Sequence, residues 1–167
     1  YEKSLSAYNN ALKIDKNYVN AINNIGILHA QNNELILAEK FFKKAVSLSS
    51  NNAKFYYNYA TVLQNLKKYD LAAKNYEKTV NLEPKYPKAY NNLGTVYKKL
   101  NKFLEALKCY KKAIDQDPGY SLAYNNLGNI FDSMCEHEKA IKAYQKSIDL
   151  EPNKLSTRWA LLNTFPV

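Results

Sequence analysis

The stretch Ala89-Tyr90-Asn91-Asn92-Leu93-Gly94 returns 34 residues later as Ala123-Tyr124-Asn125-Asn126-Leu127-Gly128. Stepping back by the same interval gives Ala21-Ile22-Asn23-Asn24-Ile25-Gly26 and a blurred copy, Phe55-Tyr56-Tyr57-Asn58-Tyr59-Ala60. A period of this length describes a tandem array in which each unit packs mainly on its neighbours and the core runs as a continuous ribbon. Hydrophobic residues make up 46% of the 167-residue chain, enough for such a ribbon, while 4 Gly and 5 Pro are too few for a turn-rich β protein. The fold class is therefore all-α.

Taken in order, Leu5, Tyr8, Ala11, Leu12 and Ile14 form the apolar stripe of one amphipathic helix within residues 1–18, read as the second helix of a truncated repeat. Complete units are expected at 19–52, 53–86, 87–120 and 121–154. In the third, Tyr90, Leu93, Gly94 and Tyr97 share one face of a first helix, and Ala106, Tyr110, Ala113 and Ile114 share one face of a second. Small residues at 94 and 106 let the two backbones approach, with rings filling the space beside them. Pro118 stops the second helix because its ring removes a donor and disfavours helical geometry before it. The fourth unit repeats this with Tyr124, Leu127, Gly128 and Phe131, then Ala140, Tyr144, Ser147, Ile148 and Pro152. Residues 155–167 form a capping helix or the start of a further repeat, with Trp159 and Leu162 on the apolar side of Leu155 to Thr164 and Pro166 as its stop.

These positions resemble the tetratricopeptide repeat, a 34-residue helix-turn-helix unit with the pattern W-x2-L-G-x2-Y, A-x3-F, P. The third unit fills all seven positions, with Tyr90 for Trp and Tyr110 for Phe. The second fills them with Tyr56, Tyr59, Ala60, Leu63, Ala72, Tyr76 and Pro84, and the first with Ile22, Ile25, Gly26, His29, Ala38 and Phe42, but Ser50 stands where Pro is expected. The resemblance implies a right-handed α-solenoid whose first helices line a concave groove that binds proteins or peptides.

Catalytic signatures are sparse. His29 sits where Tyr97 and Phe131 stand in other units and reads as a packed core histidine. Asp132, Cys135 and His137 lie close in sequence, but their spacing matches neither a zinc nor a nucleophile signature. With no phosphate loop and no nucleophile elbow, the chain is expected to be no enzyme, with no cofactor, metal site or catalytic residue. Its two cysteines, Cys109 and Cys135, are too few for a disulfide framework and point to a reducing, cytoplasmic setting. No apolar run nears the roughly 18 residues needed to span a bilayer. The chain opens inside a helical pattern and ends without a polar tail, as expected of a segment from a longer protein, with self-association through the solenoid ends a further possibility.

The net charge of +9 suggests acidic partners. It comes almost wholly from Lys, with Arg158 the only Arg, and the guanidinium fork usually recruited by nucleic acid is otherwise missing, which argues against that partner. Residues 53–86 carry +3, residues 87–120 carry +4 and residues 121–154 carry −1. Most Tyr fall at core slots: Tyr56, Tyr59, Tyr76, Tyr90, Tyr97, Tyr110, Tyr124 and Tyr144. Packing leaves unexplained the Asn two residues before each small residue: Asn24, Asn58, Asn92 and Asn126. Asn is a mediocre helix former, so four at one helical slot suggest either a ladder of amides that grips the N–H and C=O of an extended peptide or a device for packing neighbouring repeats. By the resemblance this slot faces the groove, together with Asn23, Asn91, Asn125, Lys54, Tyr57, Thr61, Lys88, Thr95, Lys98, Lys99 and Asn129, and with Asn20 and Ile27 in the first unit. That surface is polar and basic in the middle, favouring a polar or acidic extended segment of a partner. Cochaperone repeats that hold a terminal carboxylate use a Lys at the fifth position; here Asn23, Tyr57, Asn91 and Asn125 stand there. A second resemblance is to the region where repeats meet the catalytic part of O-GlcNAc transferase-like proteins, carried by Arg158-Trp159-Ala160-Leu161-Leu162 and Thr164-Phe165-Pro166. It implies a substrate-recognition arm for a catalytic domain outside this chain.

Overall fold

A computed structural model of the chain describes residues 2–153 and 155–164. The described residues form helices and no strand, and divide into two compact units, one reaching to Pro84 and the other starting at Lys85. The first unit holds α1 (Glu2–Ile14), α2 (Val19–Gln31), α3 (Leu35–Leu48), α4 (Ala53–Asn65) and α5 (Tyr69–Leu82). The second holds α6 (Pro87–Lys99), α7 (Phe103–Gln116), α8 (Ser121–Ser133), α9 (His137–Leu150) and α10 (Leu155–Asn163). Helices α2 and α3, α4 and α5, α6 and α7, and α8 and α9 pair as hairpins, and within a unit each hairpin stacks on the next.

Each hairpin closes on an aromatic ring laid against a position with little or no side chain. A methyl group added at Gly26 would lie 2.9 Å from the Phe42 ring, one at Gly94 2.7 Å from Tyr110, and one at Gly128 2.5 Å from Tyr144, all inside van der Waals contact. Ala60 and Tyr76 fill the same two slots in the remaining hairpin, both fully buried. Ala38, Ala72, Ala106 and Ala140 recur at one buried slot of the second helices, so close backbone approach is imposed from both sides. Stacking then adds a second layer: Ile22, Ala45 and Phe55 form one cluster in the first unit, and Ala106, Tyr110 and Ile130 one in the second.

The phenols at the ring slot also find polar partners on the first helix. Tyr76 OH lies 3.0 Å from Thr61 Oγ1, Tyr110 OH donates to Thr95 Oγ1 at 3.3 Å, and Tyr144 OH donates to Asn129 Oδ1 at 2.8 Å. Where the ring is Phe42, which has no hydroxyl, the facing slot is the apolar Ile27. Burial pushes the Tyr110 phenol up to about 12, against a smaller lowering by its bond to Thr95 and a small raise from Cys109.

The turn inside every hairpin has one geometry. Asn33, Lys67, Asn101 and Cys135, spaced by the repeat, all have φ near +60°. The residue after each donates five residues back, as in Glu34 N to His29 O at 2.8 Å and Glu136 N to Phe131 O at 2.8 Å. The left-handed residue itself donates three back, as in Asn101 N to Lys98 O at 3.0 Å. This is the Schellman arrangement, which satisfies the last carbonyls of the first helix. The second helices all end at the same slot, Leu48, Leu82, Gln116 and Leu150, although the first lacks the Pro found at 84, 118 and 152. The Ser50 departure therefore leaves that helix end where the other repeats have theirs.

Two sequence expectations need correction. Ile14 is 91% exposed, because it lies beyond the half-buried face of α1 formed by Leu5, Tyr8, Ala11 and Leu12. Trp159 and Leu162 are 72% and 70% exposed. Helix α10 packs on α9; the buried residues here are Thr157 and, just past the helix, Thr164, at slots held by Ala123 and Ile130 in the preceding repeat, and this register leaves Trp159 and Leu162 facing outward. Pro166, the expected stop of this helix, lies outside the described residues. Among the expected core tyrosines, Tyr59, Tyr76, Tyr110 and Tyr144 are buried, whereas Tyr56, Tyr90, Tyr97 and Tyr124 are half-buried.

Two predictions follow from these contacts. A side chain other than Gly strains the left-handed turn by about 1–2 kcal/mol, and Asn tolerates it best. Lys67→Gly and Cys135→Gly should raise the unfolding free energy measured in urea by about 0.5–1 kcal/mol after the added unfolded-chain entropy, with a smaller gain for Asn101→Gly. Because the Tyr110 pKa is raised in the fold, the stability it confers is complete below the unfolded value of about 10 and is lost as pH rises through roughly 12. Tyr110→Phe should flatten the alkaline fall in denaturation free energy by about 2–3 kcal/mol, with an unchanged slope as the contrary result.

Candidate functional site

The repeated Asn pairs are built into the packing of each unit. Asn58 Nδ2 donates to Asn23 Oδ1 at 3.1 Å, joining α4 to α2, and Asn126 Nδ2 donates to Asn91 Oδ1 at 2.9 Å, joining α8 to α6. The acceptors in turn reach their sequence neighbours, Asn23 Nδ2 to Asn24 Oδ1 at 3.5 Å and Asn91 Nδ2 to Asn92 Oδ1 at 3.4 Å. Asn23 and Asn91 are only 4% and 1% exposed, so these two do not line an open surface as expected. A buried amide needs its hydrogen bonds satisfied, and the next hairpin supplies one.

Among the concavities of the described residues, one in each unit lies at an equivalent place. In the first unit a pocket of about 260 Å³ lies between α2 and α4, bounded by Ile27, Ala30 and Gln31 on one side and Tyr57, Asn58, Thr61 and Val62 on the other, with the Phe42 ring also lining it. In the second unit the corresponding space of about 390 Å³ is bounded by Thr95, Lys98 and Lys99 on α6 and by Asn126 and Ser133 on α8, and Tyr110, Asn101 and Phe103 also line it. Ile27 and Thr95, Ala30 and Lys98, Gln31 and Lys99, Phe42 and Tyr110, and Asn58 and Asn126 correspond in pairs two repeats apart. The ring that closes the hairpin is thus also a wall of the pocket.

The structure brings Tyr57, Asn58 and Thr61 together in one pocket and Thr95, Lys98, Lys99 and Asn126 in the other. Thr61 and Thr95 are partly committed: each Oγ1 donates to a main-chain carbonyl one turn back and also meets its tyrosine hydroxyl. The Asn129 carboxamide accepts from Tyr144 and lines neither space. Lys54 and Lys88 are exposed, and Asn24, Asn92 and Asn125 half-buried, outside both pockets. Sequence reading missed Ala30, Gln31, Val62, Asn101, Phe103 and Ser133, and took Phe42 and Tyr110 as core alone. Their 34-residue correspondence was the available signal.

Charge separates the two pockets. Burial lowers the pKa of Lys98, neighbouring Lys99 lowers it further, and Asp132 raises it. Asp132 itself meets His137 Nδ1 at 3.2 Å on the exposed side of the α8–α9 turn, with Cys135 exposed in that turn. His29 is buried, stacks on Phe41 at 5.3 Å and bonds Glu34 across the Schellman turn at 2.5 Å, consistent with a packing residue. Among the described residues no group of three His, Cys, Asp or Glu is arranged to hold a metal ion, and no helix is long and apolar enough to cross a membrane.

Known structures share this architecture. The structure of MamA is 26% identical, with a TM-score of 0.84 over 91% of this chain and 89% of that one. YrrB, described as a TPR protein with an unusual peptide-binding site, is also 26% identical, with a TM-score of 0.86 over 95% of this chain and 82% of that one. The hetero-tetramer Cut9-Hcn1 of the APC/C shares the fold at 16% identity, with a TM-score of 0.87 over 99% of this chain and 33% of that one. No curated protein matches the sequence. Family profiles described as tetratricopeptide repeat match residues 19–52, 41–74, 87–120 and 121–154, and one described as TPR repeat matches 65–101. The chain belongs to the tetratricopeptide repeat family.

Proposed function

We propose that the chain is a protein-interaction scaffold that binds extended segments of partner proteins along its first helices, with Asn58 and Asn126 as main-chain contacts. The observation that carries this reading is the recurrence of one pocket in both units, each walled by a closing ring and an Asn of the following first helix. An Asn side chain offers two N–H donors and a carbonyl acceptor. One donor of Asn58 and of Asn126 is spent on the preceding hairpin, which fixes the amide plane and presents the carbonyl oxygen to a peptide N–H. A pre-oriented group loses little entropy on binding, and a main-chain contact works whatever the side chain. The similarity to YrrB, with its peptide-binding site, supports the same reading.

The glycosyltransferase resemblance adds no contact to this account. Its Arg158 to Leu162 lie in α10, and Phe165 and Pro166 lie outside the described residues.

The test separates packing from recognition. Peptides are selected on the full chain from a random-peptide display library, and their affinities are measured on Asn91→Ala and Asn126→Ala. Both variants break the same clamp and should lose about 0.5–1.5 kcal/mol of stability. Only Asn126→Ala removes a pocket group, so it should weaken binding about tenfold more than Asn91→Ala. Equal losses would make the ladder a packing device alone, and failure to select any peptide would overturn the scaffold reading.

A further inference from the structure

The two corresponding pockets have diverged in chemistry, and the divergence names what each accepts. We infer that the pocket between α6 and α8 takes a carboxylate side chain of the bound segment, while its counterpart between α2 and α4 takes an uncharged, apolar one. The inference rests on the scaffold reading and assigns side-chain preferences within it.

Four observations carry it. At the paired positions Ala30 and Gln31 in the first unit become Lys98 and Lys99 in the second, placing two ammonium groups where the first pocket has none. Lys98 is half-buried, and neither lysine forms an ion pair with a described residue. The carboxylate that acts on Lys98, Asp132, is bonded to His137 instead. Beside the lysines stands a group that can donate to a second carboxylate oxygen, the Asn126 amide, whose Nδ2 gives one hydrogen to Asn91 and keeps the other. A half-buried cation with no ion pair has lost hydration and feels its nearest carboxylate, Asp132, without direct contact; an incoming carboxylate restores both charge balance and short charge-assisted hydrogen bonds. The first pocket is lined by no cation, and beside Ile27, Ala30, Phe42 and Val62 burying an unpaired carboxylate costs free energy.

Selection from a random-peptide library on the full chain tests this directly. Wild-type protein should enrich peptides with Asp or Glu at one recurring position, and changing that residue to Asn or Gln should weaken binding about tenfold. Panning on the folded double variant Lys98→Glu/Lys99→Glu should exchange the acid for Lys or Arg at that position. A second variant, Lys111→Glu/Lys112→Glu, makes the same charge change on an exposed stretch of α7 and should leave the acidic preference in place. Circular dichroism and thermal melts establish that both variants are folded. An acidic position that survives the 98/99 reversal, or falls equally with the 111/112 reversal, would overturn the pocket assignment while the scaffold stands. Peptides enriched without any acidic position would do the same, whereas no enrichment on wild-type protein would remove the scaffold reading itself.

Discussion

Within each hairpin an aromatic ring presses on a helix backbone at a residue with little or no side chain, Gly26, Ala60, Gly94 or Gly128. At Gly94 and Gly128 even one methyl group would enter the ring of Tyr110 or Tyr144. A Gly inside a helix sacrifices about 1 kcal/mol against Ala, and burying a ring of this size returns roughly 1.5–3 kcal/mol. The exchange favours the ring, and it fixes the distance between the two helices. That distance in turn determines which residues of the first helix meet the phenol, so Thr61, Thr95 and Asn129 carry hydrogen-bonding groups opposite Tyr76, Tyr110 and Tyr144.

The recognition we propose uses what this contact leaves over. The rings that close the hairpins become walls of the pockets, Phe42 in one unit and Tyr110 in the other. The Asn slot behaves similarly, since Asn58 and Asn126 tie successive hairpins with one N–H and also line the pockets. Packing side chains therefore also line the pockets. The positions free to vary are those on the pocket wall that neither close a hairpin nor clamp a neighbour, and these are where Ala30 and Gln31 differ from Lys98 and Lys99.

The 34-residue spacing made the hairpins, their small-residue slots and their closing rings legible before any coordinates, because each depends on sterics repeated in identical form. The left-handed turn was not legible: of Asn33, Lys67, Asn101 and Cys135, which share a conformation, only two are Asn, and no Gly marks it. The burial of Asn23 and Asn91 escaped for a related reason. A polar side chain reads as exposed unless its partner is known, and the partner of each lies 35 residues on, in the next hairpin. The outward turn of Trp159 and Leu162 depended on register against α9, with Thr157 and Thr164 taking slots that aliphatic residues fill elsewhere. Of the groove residues, Tyr57, Asn58, Thr61, Thr95, Lys98, Lys99 and Asn126 line the two pockets, whereas Asn23, Asn91 and Asn129 are held in hydrogen bonds to neighbouring side chains.

The ring-on-backbone contact is tested most directly by a double-mutant cycle at its tightest instance, pairing Gly128→Ala with Tyr144→Ala and measuring denaturant unfolding. With the ring gone, the added methyl group should keep its helix-propensity gain of about 0.8–1 kcal/mol. With the ring present, overpacking should oppose it, so the two changes should couple by at least about 1 kcal/mol. Additivity within roughly 0.3–0.5 kcal/mol would show that ring and backbone do not constrain one another, and the account of how the hairpins close would fail.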